Sequence, residues 1–133
     1  MKISFFIIQV YSITTTGTLP QNRAFHQSIN YGNKIIIFGG LNQSVVFNDY
    51  AVFNTLSKIW FWFNVRTTTN TLGQRPSPRE KCTLTKINAD MLILFGGYEC
   101  SEDETVEINY QDTFSLNLIR MLWEKIDTNG AVP

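Results

Sequence analysis

Two apolar stretches of this chain end in the same way, and that likeness restricts what the chain can fold into. Ile35-Ile36-Ile37-Phe38-Gly39-Gly40 returns as Met91-Leu92-Ile93-Leu94-Phe95-Gly96-Gly97. Four or five apolar residues closed by a double glycine read as a buried strand that stops abruptly. The flanks return as well. Gly17 to Arg23 precedes the first copy as Gly73 to Arg79 precedes the second, and Asp49 stands eleven residues before Trp60 as Asp112 stands eleven before Trp123. The chain is an internal repeat of period about 56 or 57 residues. Such a unit buries its apolar faces by stacking on its neighbours, as solenoids and propellers do.

Within each unit the pattern predicts four short strands and almost no helix. In the first, Phe25 to Tyr31 leads through the turn Tyr31-Gly32-Asn33-Lys34 into Lys34 to Phe38, which Gly39 and Gly40 end. A loop of Leu41 to Asn48 then precedes Asp49 to Asn54 and Ile59 to Val65. In the second, Lys81 to Ile87 and Met91 to Phe95 are followed by a longer loop to Gln111, then Asp112 to Asn117 and Leu122 to Ile126. Between the units, residues 66–79 are polar and carry Pro76 and Pro78, which keep the connection out of a ladder. At the amino terminus, residues 5–13 read as the final strand of an earlier repeat, because Ile13 to Pro20 aligns with Ile126 to Pro133. The missing cleavage site and Gln9 argue against a signal peptide there. The expected division is thus 1–13 for the last strand of a preceding blade, 14–65 and 66–126 for two repeats, and 127–133 for the start of a further one.

These residues resemble the kelch repeat, whose blades are four-stranded antiparallel sheets of a β-propeller. The family pattern is an arginine before the first strand, a double glycine, and an aromatic separated by six residues from a tryptophan. Arg23, Gly39, Gly40, Phe53 and Trp60 fit it, as do Arg79, Gly96, Gly97 and Trp123, with Leu116 in the place of the aromatic. Asp49 and Asp112 open the third strands, where a short acceptor is able to cap loop N–H groups. The resemblance implies an all-β chain of about two blades of a partial propeller. Closed propellers use about four to eight blades, so two blades leave two apolar faces bare, to be met by additional blades or by self-association.

Charge excludes some partners. Eleven basic and eleven acidic side chains cancel, which gives no footprint for nucleic acid, and no apolar run is long enough to span a membrane. The charges are unevenly spread: residues 1–78 hold six basic groups against Asp49 alone, and residues 79–133 hold five against ten acidic ones. Cys82 and Cys100 read as reduced thiols, and a cytoplasmic location is favoured.

Catalytic, cofactor and metal residues are all read as none. His26 is the single histidine, too few for the copper site of kelch-type oxidases or for a histidine triad, and it is expected to serve as a core or turn hydrogen-bonder. Neither double glycine is followed by a Lys-Ser/Thr pair, and no nucleophile-elbow pattern is present. The acidic run Glu99, Glu102, Asp103, Glu104 and Glu107 lacks the ligand spacing of a calcium loop. It does lie in a loop six residues longer than its counterpart, and framework packing does not require that insertion. Residues 41–48, 66–79 and 98–111 are expected on one rim, with Arg66 and Arg75 near the acidic loop. The expected function is a non-catalytic protein-interaction scaffold. The alternatives are a fragment of a propeller enzyme whose catalytic residues lie elsewhere, and a truncated nonfunctional product.

Overall fold

A computed structural model describes residues 11–43, 45–62, 75–100 and 107–129, and among them every regular element is a strand. The described residues form two four-stranded antiparallel blades. The first runs β2 (Gln27–Tyr31), β3 (Lys34–Phe38), β6 (Tyr50–Asn54) and β7 (Ile59–Trp62), each pairing with the next in the chain. The second repeats that meander with β8 (Thr83–Asn88), β9 (Met91–Cys100), β10 (Glu107–Asn117) and β11 (Leu122–Ile126). Turn chemistry sets the repeated third-to-fourth strand connection. The Asn54 side-chain oxygen accepts from the N–H groups of Leu56 and Ser57, as that of Asn117 accepts from Ile119 and Arg120. Each turn closes on a left-handed residue, Lys58 at φ 58° and Met121 at φ 54°.

Three departures from the sequence reading concern the edges. Residues 11–13 lie in no strand, whereas residues 1–10 fall outside the described residues. Instead β1 (Thr16–Gly17) adds to the outer edge of the first blade, parallel to Ile59 and Trp60, through Thr16 N–H to the Lys58 carbonyl and Thr18 N–H to the Trp60 carbonyl. The loop after Gly40 also contains a small hairpin, β4 (Leu41–Asn42) with β5 (Val45–Val46). In the second blade the expected strand stop and long loop are replaced by pairing. The ladder of β9 and β10 passes through Gly96 and Gly97 as far as Cys100 opposite Glu107, with an irregularity between Tyr110 and Thr113. Tyr98 and Tyr110 favour extended backbone, and the cross-strand contacts outweigh the glycines' tendency to break the strand.

One core lies between the blades. Ile36, Phe38, Tyr50 and Val52 of the first blade meet Leu92, Leu94, Phe114, Leu116 and Trp123 of the second, with Cys82 beside them. The Phe38 and Trp123 rings pack 5.4 Å apart. Strand register puts Trp60 opposite Phe53 and Trp123 opposite Leu116, so the two tryptophans are equivalent within their blades. Their surroundings differ: Trp123 is 1% exposed in the seam, while Trp60 points away from the second blade and is half-buried.

The two outer faces, expected to be bare and apolar, differ from each other. On the far side of the first blade, Ile37, Ala51 and Phe53 are buried. On the far side of the second, Thr85, Thr113, Ser115 and Glu124 occupy the register positions that hold Ile29, Tyr50, Val52 and Phe61 in the first. Ile93 and Phe95 keep the apolar character of their counterparts Ile36 and Phe38, and Ile126, opposite Thr113, adds to it. A side chain facing the dry seam must be apolar or fully paired, whereas small hydroxyls on this face are suited to a hydrogen-bonding neighbour.

Candidate interaction surface

The repeat signature builds a rigid base at one end of each blade. Arg23 donates from Nη1 to the Gly39 carbonyl at 3.1 Å and grips Asp49 with both terminal nitrogens, at 2.5 and 3.1 Å. Arg79 does the same with Gly96 at 2.9 Å and with Asp112 at 2.6 and 3.3 Å. Each Nε donates to the carbonyl two residues upstream, Gln21 or Ser77. Aromatic faces complete the enclosure, with Phe47 at 4.1 Å from the Arg23 guanidinium and Tyr110 at 4.0 Å from that of Arg79. Asp49 and Asp112 therefore serve as partners of a buried arginine and not as the loop caps expected from their short side chains. The planar guanidinium meets two carboxylate oxygens and a carbonyl at once, a geometry that lysine's point charge does not reproduce.

Glycine is required where the next blade's connector crosses. Gly39 has φ 64°, and a β-carbon on it would lie 2.4 Å from the Arg79 carbonyl oxygen. The neighbouring Gly40 N–H donates to that same carbonyl, while Arg79 N–H donates to the Phe47 carbonyl, both at 3.0 Å. The sequence reading missed the position two residues after each arginine. Phe25 and Lys81 both adopt left-handed backbone there, and Lys81 N–H donates to the Phe25 carbonyl. The Lys81 ammonium also sits 4.8 Å from the Phe25 ring and 3.1 Å from buried Glu80.

On this base stands the extended β9–β10 hairpin. Tyr50, Trp62, Thr83 and Thr113 all lie at the ends of β3 and β9 that carry the double glycines, so the loops after those glycines and the connector between blades emerge together. Asn48 Nδ2 donating to the Pro76 carbonyl at 3.5 Å joins two of them directly. Glu99 and Glu107 are strand residues, one on each side of the hairpin. Glu99 accepts from the Tyr110 hydroxyl, and burial together with that contact raises the tyrosine's pKa. The Tyr98 hydroxyl shares its side of the hairpin with Cys100 and Glu107, and its hydrogen bond to Cys100 is the largest cause of a raised pKa. Arg75 is exposed on the connector, and its charge reaches buried Tyr50. Arg66, Glu102, Asp103 and Glu104 lie outside the described residues. His26 is solvent-exposed instead of buried, with its backbone against Gly40. Cys82 and Cys100 are not joined in a disulfide. Among the described residues no group of His, Cys, Asp and Glu is arranged to hold a metal ion, and no helix is long and apolar enough to cross a membrane.

Paired four-stranded blades fastened by an arginine, a double glycine and an aspartate define a β-propeller repeat of the kelch type. The KLHDC2/KLHL20/DRC7 Kelch-repeats domain matches residues 5–133, and the chain belongs to the kelch-repeat family. It is 33% identical over 110 residues to Kelch domain-containing protein 1 of Mus musculus, covering 83% of this chain and 25% of the relative. It is 34% identical over 84 residues to Kelch domain-containing protein 2 of Bos taurus, covering 63% and 19%. It is also 36% identical over 80 residues to the flagellar outer-arm dynein alpha chain of Chlamydomonas reinhardtii, covering 59% and 2%. The chain thus spans a quarter or less of each of these relatives. Repeats of this family are in general protein-interaction modules.

Proposed function

We propose that this chain is a non-catalytic interaction scaffold, part of a larger propeller, whose acidic β9–β10 hairpin engages a basic segment of a protein partner. The observation that carries the reading is the difference between equivalent hairpins. The first blade has only Leu41–Asn42 paired with Val45–Val46, whereas the second extends its ladder to Cys100 opposite Glu107 and places Glu99 and Glu107 on it. Paired strands restrain carboxylates that a free loop would leave mobile, so less ordering entropy opposes binding. The Tyr110 hydroxyl further orients Glu99. Complementary charge acts mainly on the rate of encounter and on partner choice, and it weakens with salt over about 8 Å at physiological ionic strength.

The test uses a lysine- and arginine-rich peptide as probe, titrated into the chain at low and high salt. Wild type should bind it with a steep salt dependence. Replacing Glu99, Glu102, Glu104 and Glu107 by Gln and Asp103 by Asn should slow association and flatten that dependence while thermal stability stays the same. An unchanged association rate and salt slope in the neutralised variant would make the hairpin only a solvated connection.

A further inference from the structure

The outer edges of the two blades are guarded in different ways. β7 carries Ile59-Trp60-Phe61-Trp62, all apolar or aromatic, where β11 carries Leu122-Trp123-Glu124-Lys125 in the same register. A strand edge is a template for pairing with another chain, and either charged side chains or a covering segment blunts it. β11 has the charges. β7 has the cover, because β1 lies along it in parallel with Thr16 opposite Ile59 and Gly17 opposite Trp60. Among the described residues β11 has no such companion. The edge of β7 belongs to the outer rim, since on the inner side of the molecule it is β2 and β8 that meet.

Packing does not hold β1 in place. Its residues and their neighbours Ile13, Thr14, Thr18 and Leu19 are exposed, Ile13 at 58% and Leu19 at 59%. Two hydrogen bonds hold it, from Thr16 N–H to the Lys58 carbonyl at 3.1 Å and from Thr18 N–H to the Trp60 carbonyl at 3.2 Å. Gly17 allows the close approach: its φ is 89°, and a β-carbon there would lie 2.1 Å from the Trp60 carbonyl oxygen. A segment that buries little of itself and occupies the carbonyls of an uncharged edge acts as a cover, and such lightly packed segments open at small cost.

We propose that β1 is a releasable strap over a self-association edge, and that when it lifts, Ile59–Trp62 pairs antiparallel with the same strand of a second copy of the chain. The occupant is a second copy because the edge complements itself. The Lys58 and Trp60 carbonyls point outward to the strap, and by the alternation of a strand Trp62 shares their side. In a two-fold pair centred on Phe61, Trp60 of one copy therefore stands opposite Trp62 of the other with the bonding groups of both in line. Aromatic residues placed directly opposite favour such a ladder, and the strand holds no charge to repel its own image. The edge of β11 does not qualify, because Glu124 and Lys125 interrupt it.

Hydrogen exchange and light scattering on the full chain test this together. Valine at position 17 neither adopts a φ of 89° nor clears the Trp60 carbonyl, so Gly17→Val should lift the strap. The Thr16 and Thr18 amides should then lose their protection, and the average mass should climb with concentration above that of wild type, toward that of a dimer. The melting temperature of the dilute variant should stay at the wild-type value, because the strap buries so little. Ile59→Lys changes a residue that is 41% exposed and gives β7 the kind of charge that β11 carries. Added to Gly17→Val, it should return the mass to the wild-type value while the strap amides remain unprotected. A mass that Gly17→Val leaves unchanged overturns the proposal. So do strap amides that stay protected in that variant, or a gain in mass that persists when Ile59→Lys is added.

Discussion

Arginine buried against aspartate is the residue-scale device that both blades share, and its energetics are asymmetric. Desolvating a guanidinium costs several kcal/mol, which the paired carboxylate and carbonyl offset only while all of them are present. Arg79→Leu should therefore destabilise the chain by about 3–5 kcal/mol in urea unfolding, while Arg79→Leu with Asp112→Leu should cost clearly less, because no unpaired carboxylate remains. Equal losses in the single and double variants would show the pair to be energetically idle. Cys82 makes a second point at this scale. Burial pushes its thiol up to about 11 from 9.0, against the lowering pull of the Arg79 guanidinium. At 2% exposure it should escape alkylation in the native chain at pH 8 and react once the chain is denatured, as read by peptide mass spectrometry. Because the folded pKa lies above the unfolded one, the associated stability is complete below about pH 9 and is lost as pH rises through about 11.

At the scale of the element, two tryptophans in the same register test whether a blade or a seam sets the cost of losing one. Trp123 fills the seam against Phe38 and Phe114, at ring distances of 5.4 and 6.4 Å. Trp60 packs on Phe53 at 5.0 Å and remains half-buried. Trp123→Ala should cost about 3–5 kcal/mol, whereas Trp60→Ala should cost about half of that, measured by chemical denaturation. Equal costs would mean that contacts within a blade outweigh those between blades. The signature of both residues was legible from sequence spacing. Their unequal burial was not, because it depends on which face of the sheet meets a neighbour.

For the whole molecule, the distribution of polarity on blade faces matters more than the number of blades. The far face of the second blade holds Thr113 and Ser115 where the first holds Tyr50 and Val52 in the dry seam. Contiguous apolar surface promotes association, and these hydroxyls interrupt it. Restoring an apolar face with Thr113→Val and Ser115→Val should increase the average mass seen by light scattering at fixed concentration. An unchanged mass would show that Ile93 and Phe95 already set the association behaviour of that face.

Period, strand order and the identity of the fastening residues were determined by the sequence alone, because each leaves a local mark. Lys34–Phe38 and Leu122–Ile126 were readable to the residue, since apolar runs bounded by turns announce their own ends. Arginine, glycine and aspartate were visible as recurring residues, but their union was not, because Arg23 meets Asp49 across 26 residues and Arg79 meets Asp112 across 33. The double glycine was ambiguous for the same reason: it allows a strand to stop, and only the partner strand determined that β9 continues to Cys100. Which faces are dry and which glycine lies beneath a connector were decided by the stacking of one blade on another. Those contacts join segments far apart in the chain and have no counterpart in any local pattern.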